Sequence, residues 1–266
     1  MKRERAYVEA RRNEILEIMK ENPKVMVDEL AEKFQVSLIT VRRDLQYLED
    51  QNLLVRFHGG AESVTSPDTA EQNEVDLYRR LIAQYAATLA EDGDSLFINT
   101  SRNALQMLEY VKKKNVTVIT NNGKALRMDY NAGISIILTG GEIRYPKEAL
   151  VGDFAIRNVQ QVFPKKAFIG CSGFSPLSGM TTEIAGEVRI NELMIQNAKE
   201  VYVLADHTKI GKNSSFTSSP VERIRHLITD EKAPENILEE LRNAGVQIHQ
   251  VRKGYYENEG VYGGPV

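Results

Sequence analysis

The chain has 266 residues, a formal net charge of -3 from 34 Lys and Arg against 37 Asp and Glu, 42% hydrophobic residues and 27% charged ones. That is the make-up of a soluble globular protein of about two domains, too apolar for disorder throughout and, with 18 Gly and 8 Pro, too poor in breakers for low complexity. One cysteine, Cys171, excludes a disulfide framework and a cysteine-based zinc site, and the four histidines (His58, His207, His226, His249) are too scattered for a dedicated metal site, so no metal or cofactor is expected.

The charged start, Met1-Lys2-Arg3-Glu4-Arg5, has no apolar stretch of the kind a signal peptide needs. No run approaches the ~18 apolar residues of a membrane span. A cytoplasmic protein without membrane contact is expected. The slight acidity would by itself argue against nucleic acid as the main partner.

Residues 10–50 carry helical periodicity. Ile15, Leu16, Ile18 and Met19 line a first helix that Glu21-Asn22-Pro23 stops. Val27, Leu30, Ala31 and Phe34 mark a short second helix. After Gln35-Val36, Ser37 can cap a third, whose apolar face would be Leu38, Val41, Leu45 and Leu48. Leu53 to Gly60 has the pattern of a β-hairpin, so the expected layout over 1–60 is a winged helix-turn-helix. The polar stretch 61–75 is expected to be a linker.

From 76 onward helical and strand patterns alternate, as in a mostly parallel α/β domain over 76–252. Helices are predicted near 76–91, 103–113, 123–129, 184–199 and 234–243. Strands are predicted at 95–98, 116–120, 134–138, 166–169, 201–204 and 226–229, several as continuous apolar runs that suit a sheet covered on both faces. The tail 253–266 is expected to be flexible.

On a helix starting at Ser37, Thr40 and Arg43 lie one turn apart, with Arg42 and Gln46 in a parallel row. Arginine can fork onto guanine edges or phosphates, and Ser or Thr can bond either. Arg56, His58 and Gly59 of the hairpin could reach an adjacent backbone or minor groove. The candidate DNA-binding residues are therefore Ser37, Thr40, Arg42, Arg43, Gln46, Arg56, His58 and Gly59. The competing reading is a solvated helix face with no ligand; the tight turn and the Gly-Gly wing weigh against it.

Residues 11–61 resemble the winged helix-turn-helix of the DeoR family of bacterial transcription regulators. The resemblance rests on Arg11-Arg12-x-x-Ile15-Leu16, Val27-x-x-Leu30-Ala31-x-x-Phe34, Ser37-x-x-Thr40-Val41-Arg42-Arg43-Asp44-Leu45, and Leu53 through Ala61. It implies that the helix bearing Arg42 and Arg43 enters the major groove of a double-stranded operator.

In the second domain, the predicted strands end in small polar residues, the place where α/β sheets bind ligands. These loops supply Asn99, Thr100, Ser101 and Arg102; Thr120, Asn121 and Asn122; Gly140 and Gly141; Ser172; and Asp206 and Lys209, with Glu183 as a further carboxylate. Hydroxyls, amides, an arginine and a lysine converging at one edge suit a phosphate or another anion, and the carboxylates suit sugar hydroxyls. The DeoR resemblance extends through this domain by Asp92-Gly93-Asp94, Thr120-Asn121, Gly140-Gly141, Val151-Gly152, Gly170-x-x-Gly173 and Asp206-x-x-Lys209-Ile210-Gly211. It implies a ribose-5-phosphate isomerase-like sensor of phosphorylated sugars. Where the family usually has Asp-Ala-Gly-Thr-Thr, this chain has Asn99-Thr100-Ser101-Arg102-Asn103, a departure that weakens the usual phosphate-loop argument and leaves two readings of Arg102, a replacement anion contact or a side chain pointing to solvent.

The reading is thus a regulator and not an enzyme: a repressor of a carbohydrate-use operon, controlled by a phosphorylated sugar or related metabolite and acting as a dimer or tetramer. Two alternatives stand beside it. One is a sugar-phosphate isomerase-like enzyme with Glu183, Glu187, Asp206 and Lys209 as its acid/base set. The other is a DNA-binding protein whose second domain only oligomerises. Residues 1–60 hold 11 basic and 11 acidic side chains, leaving 23 against 26 in the rest, so the DNA-reading region is neutral overall and its positive charge is placed. Such a domain should bind random DNA weakly.

Overall fold

The computed structural model describes residues 2–50, 53–57, 59–63, 67–145 and 147–254. The chain divides into two compact units, Met1–Asp76 and Leu77–Val266. The first unit holds helix α1 (Lys2–Glu21), strand β1 (Lys24–Met26), helices α2 (Val27–Phe34) and α3 (Leu38–Asp50), and strands β2 (Leu54–Phe57) and β3 (Gly60–Ser63). The turn between α2 and α3 passes through Gln35 at φ 52, the left-handed conformation that ends a helix sharply. β2 and β3 form the expected hairpin, and β1 adds to β3 as a third antiparallel strand that the short Lys24-Val25-Met26 run did not announce. Gly60 approaches the Val25 carbonyl so closely that a Cβ would overlap it, which requires glycine there.

Ile15 and Met19 of α1, Leu30 of α2, Val41, Leu45 and Leu48 of α3 and Leu54 of β2 close one core. Leu38 does not belong to it and is 44% exposed. As the first residue of α3 its side chain leans back past the helix end, where the core no longer reaches.

The stretch 61–75, expected to be a linker, contains the remainder of β3 and the opening turns of α4 (Pro67–Thr88). That helix starts at Pro67 and not near residue 76; proline suits a first helical position, and polar Gln72 and Asn73 are simply solvated helix surface.

The second unit continues with β4 (Ser95–Ile98), α5 (Arg102–Gln106), β5 (Val116–Thr120), β6 (Ile134–Leu138), β7 (Glu142–Arg144), β8 (Ala149–Val151) and α6 (Asp153–Gln160). β9 (Lys166–Gly170), β10 (Gly173–Ser175), β11 (Gly179–Thr182), α7 (Ala185–Asn197) and β12 (Glu200–Leu204) follow. β13 (Phe216–Ser219), β14 (His226–Asp230), α8 (Glu235–Asn243) and β15 (Gln247–Val251) complete it. Seven strands form one parallel sheet in the order β15-β14-β12-β9-β4-β5-β6. All six predicted strands are in it. The seventh, β15, is an edge strand whose Gln-Ile-His-Gln-Val alternation lacks the apolar run of its neighbours.

Successive residues of β4 show how the sheet is covered. Leu96 and Ile98 pack into the core made with Ile82 and Ala86 of α4 and Ala104 of α5. Phe97, facing the other way, joins Ile190 and Met194 of α7 and Leu238 of α8. Two helices are shorter than predicted: α5 stops at Gln106 and tightens into a 3-10 turn, and 123–129 holds only the 3-10 turn Gly123–Arg127, capped by Asn122. Helix α6 was not predicted; it buries only Ala155 and Val159.

The chain lays down β4, β5 and β6 toward one edge, then returns to place β9 on the far side of β4. The boundary between β4 and β9 is therefore where the direction of winding reverses, and the loops leaving their carboxyl ends diverge. Among the described residues no helix is long and apolar enough to cross a membrane, and no three His, Cys, Asp or Glu side chains are grouped to hold a metal.

Candidate DNA interface and anion pocket

Helix α3 is fixed from both ends. Ser37 accepts a hydrogen bond from the Thr40 amide at 3.2 Å, which caps the helix, and its hydroxyl pairs with the Thr40 hydroxyl at 2.8 Å. Asp44, 2% exposed, accepts from Arg11 Nε at 2.6 Å and Arg12 Nε at 2.8 Å, both from α1. Arg12 also stacks over Tyr47, 3.7 Å from the ring centroid. With Asp44 held by α1, the Arg-Arg-Asp triplet splits its roles: Arg42 and Arg43 stay exposed, without an ion pair among the described residues.

The wing is tied back to the same helix. Glu49 of α3 accepts from both the Arg56 amide and Arg56 Nε at 2.9 Å. The Arg56 amide bond, with the guanidinium beside it, holds the Glu49 carboxyl below the ordinary carboxylate range against the opposing effect of burial. Arg56 is thus a strut between wing and helix, occupied in a way its sequence position did not reveal. Gln46 bonds Glu49 at 3.4 Å. Gly59 sits at the hairpin tip with φ 95, while His58 lies outside the described residues.

In the second unit a cavity of about 310 Å³ opens at the β4/β9 boundary. Eight of the predicted residues line it: Asn99, Thr100, Ser101, Arg102, Ser172, Glu183, Asp206 and Lys209. Arg79, Lys124, Lys147, Thr182 and Glu187 also line it. Five basic side chains therefore face three acidic ones. Gly170 at the end of β9 lies so near Ser101 that any Cβ would collide with it, which lets the two loops share the cavity floor.

Several lining groups have structural duties. The Asn99 amide donates to Gly170 O at 2.9 Å and Asn191 Oδ1 at 3.0 Å, and its oxygen accepts from the Gly170 and Ser101 amides. Glu187, 3% exposed, accepts from Thr100 Oγ1 at 2.8 Å and Thr182 Oγ1 at 3.0 Å, with Lys147 at 3.8 Å. Asp206 accepts from Arg79 Nε of α4 at 2.9 Å and from the Thr208 amide and hydroxyl. Burial pushes the Asp206 carboxyl up, yet the Thr208 and Arg79 bonds and the charges of Arg79 and Lys209 outweigh it and hold it below the ordinary range. Arg102, Lys124 and Lys209 form no ion pair among the described residues, so their charge is available to a ligand. Burial pushes the Cys171 thiol up to about 12, so it stays protonated near neutral pH and is a poor nucleophile.

Only three of the five predicted loops supply candidate residues to the cavity wall. Thr120, Asn121 and Asn122 are buried in the turn after β5: Thr120 accepts from the Asn122 amide, Asn121 donates to Leu150 O, and Asn122 caps the following turn through the Lys124 amide. Gly140 and Gly141 turn the chain after β6 at φ 68 and 106. None of the five lines the cavity; what that side contributes is Lys124. The chain spacing of small polar residues marks strand ends correctly, but strand order decides which ends are neighbours. Arg79 was missed because it comes from α4, far from any strand end.

Family models match both units. A "DeoR-like helix-turn-helix domain" matches residues 11–67 and a "DeoR C terminal sensor domain" matches residues 77–231. The HTH-type transcriptional regulator GlpR of Haloferax volcanii is 31% identical over 90% of this chain and 96% of its own. The lactose phosphotransferase system repressor of Staphylococcus aureus is 30% identical over 85% and 94%. A solved ribose 5-phosphate isomerase from Plasmodium falciparum matches at a TM-score of 0.37 and 12% identity, covering 52% of this chain and 54% of that one, a likeness too distant to bear on chemistry.

Proposed function

The chain belongs to the DeoR family of transcription regulators, and on that premise we propose that it represses a carbohydrate-use operon under the control of a phosphorylated sugar bound between β4 and β9. The observation that carries the effector reading is the cavity itself: Arg102, Lys124 and Lys209 bring unpaired positive charge to a wall of hydroxyls and amides at the reversal point of the sheet. A relative named for a phosphotransferase system points to the same ligand class. In this reading Arg102 takes the anion contact that the family's usual loop provides, and Ser172 and Glu183 meet sugar hydroxyls.

Thr40, Arg42, Arg43 and Gln46 of α3 are the side chains proposed to meet operator DNA, with Gly59 at the wing tip. The relatives are named as regulators and not as enzymes. Two copies would place two recognition helices on repeated half-sites, and self-association into a dimer or tetramer is part of the proposal. The sugar phosphate acts by binding the DNA-competent and DNA-incompetent states unequally, and shifts them by that difference in affinity.

Thermal melts of the full chain against a panel of phosphorylated and unphosphorylated sugars test this. A ligand at 100 times its dissociation constant adds about 2.7 kcal/mol, a rise of roughly 5–10 °C for a domain of this size. Stabilisation by phosphorylated members alone is expected. Equal response to both sets, or to neither, overturns the effector reading.

A further inference from the structure

Helix α3 exposes three large apolar side chains, Leu38, Ile39 and Tyr47, and Ile39 is the most exposed of them. Ile39, the second residue of the helix, is 62% exposed, and Leu38 beside it is 44% exposed. Counting along the helix, Arg42, Arg43 and Gln46 follow Ile39 at +3, +4 and +7, so all four stand on one face, opposite the Val41, Leu45 and Leu48 core stripe. Ile39 thus sits at the N-terminal end of the row that carries the unpaired arginines, where a recognition helix meets base edges.

An alkyl side chain can donate nothing to phosphate and forms no hydrogen bond with a base. The feature of a major-groove edge that it recognises is the C5-methyl group of thymine. We propose that Ile39 reads the operator by packing against a thymine methyl, while the arginines beside it supply phosphate or guanine contacts. This goes beyond the family assignment, which says that α3 faces DNA but not which bases it selects. It also accounts for a large apolar residue kept in water in the free protein: its burial is deferred until DNA covers it. A single exposed apolar residue is ordinary on a protein surface; the position of this one, between the helix cap and Arg42, is what commits it to DNA.

The test uses the full chain and duplexes it enriches from a random library. Each thymine of the enriched operator is replaced in turn by deoxyuridine, which removes only the methyl group. For the wild-type protein, one such replacement should weaken binding about fourfold, the worth of one buried methyl-sized group. Ile39→Ala should bind the thymine and deoxyuridine forms at that position equally. Ile39→Asn, which puts a polar amide where the alkyl group stood and suits the start of a helix, serves as a second variant if the alanine variant does not fold, and the same loss of discrimination is expected. Identical deoxyuridine penalties in wild type and variant at every thymine overturn the proposal, as does a wild-type protein insensitive to every replacement. Failure to enrich any sequence would instead contradict the DNA-reading role of α3, and the proposal with it.

Discussion

Arg11 and Asp44 stand 33 positions apart in the chain, and their side chains meet at 2.6 Å inside the first unit, both nearly closed to solvent. The pair ties α1 to the helix that carries Arg42 and Arg43. Removing one partner of a buried ion pair leaves the other charged and unsolvated. Asp44→Ala should therefore lower stability by about 3 kcal/mol, with a loss of operator affinity that follows the fraction unfolded. Denaturant melts followed by helix signal measure it; a loss below about 1 kcal/mol would mean the pair behaves as a surface contact.

Arg43 and Arg56 should separate cleanly. Arg43 is exposed and has no ion-pair partner among the described residues, so Arg43→Ala should leave the melting midpoint unchanged and weaken operator binding by about 1–3 kcal/mol if it meets a base. Arg56 is bonded twice to Glu49, and Arg56→Ala should cost under about 1 kcal/mol of stability, with a smaller effect on DNA. Fluorescence anisotropy with a labelled operator compares the two, and a larger affinity loss at Arg56 reverses the assignment.

In the second unit, Lys209 and Asn121 give the matching contrast. Lys209 lines the cavity, and losing a charged contact to an anion costs about 1.5–3 kcal/mol, so Lys209→Ala should weaken sugar-phosphate binding at least about tenfold. Asn121 is fully buried away from the cavity and donates to Leu150 O, so Asn121→Ala should keep the ligand affinity and lose about 1–3 kcal/mol of stability. Calorimetric titration reads the first and thermal melts the second. Weakened binding in a folded Asn121→Ala protein would restore the β5 loop to the site.

A pair of histidines makes stability depend on pH. His226 and His249 lie on neighbouring strands with Nδ1 and Nε2 3.3 Å apart, Tyr202 stacks on His226 at 4.5 Å, and the Tyr85 hydroxyl of α4 meets His249 Nδ1 at 2.9 Å. Burial lowers both from the ordinary value of 6.5; Glu200 opposes the shift at His226, Arg225 adds to it, and the His226 charge further lowers His249. A depressed imidazole pKa means that the unfolded chain binds protons the folded one refuses. Stability is then full above the unfolded value and falls as pH drops through about 6.5 toward the lower folded values. The melting midpoint should decline from pH 7.5 to 5.5, and His249→Phe should flatten that slope. An unchanged slope in the variant would assign the pH dependence to other groups.

Much of this was legible along the chain because it is written in local periodicity. Apolar residues dense in each short run announced six of the seven parallel strands, most plainly the inner ones such as β4, β9 and β12, where a strand covered on both faces has little polar alternation to hide it. The seventh, β15, escaped because it keeps polar residues on both sides of Ile248, whereas β6 at the opposite edge still reads Ile-Ser-Ile-Ile-Leu. The recognition helix was equally plain, from Ser37 as its cap to the exposed Arg42 and Arg43. Leu38 and Ile39 were not, because periodicity cannot tell an apolar residue at a helix start from one a turn further in that reaches the core.

What the sequence determined on its own was which residues end strands and which helix carries the arginines, because backbone geometry and hydrophobic period act over a few residues. Only the tertiary structure decided which strand ends become neighbours. The β4/β9 reversal gathers Arg102, Ser172 and Lys209 and leaves Thr120, Asn121, Gly140 and Gly141 to hold turns. It likewise decided that Arg79 joins the cavity through Asp206 and that Arg11 and Arg12 claim Asp44. These pairings span 127, 33 and 32 positions, a range over which no local rule operates and only packing selects partners.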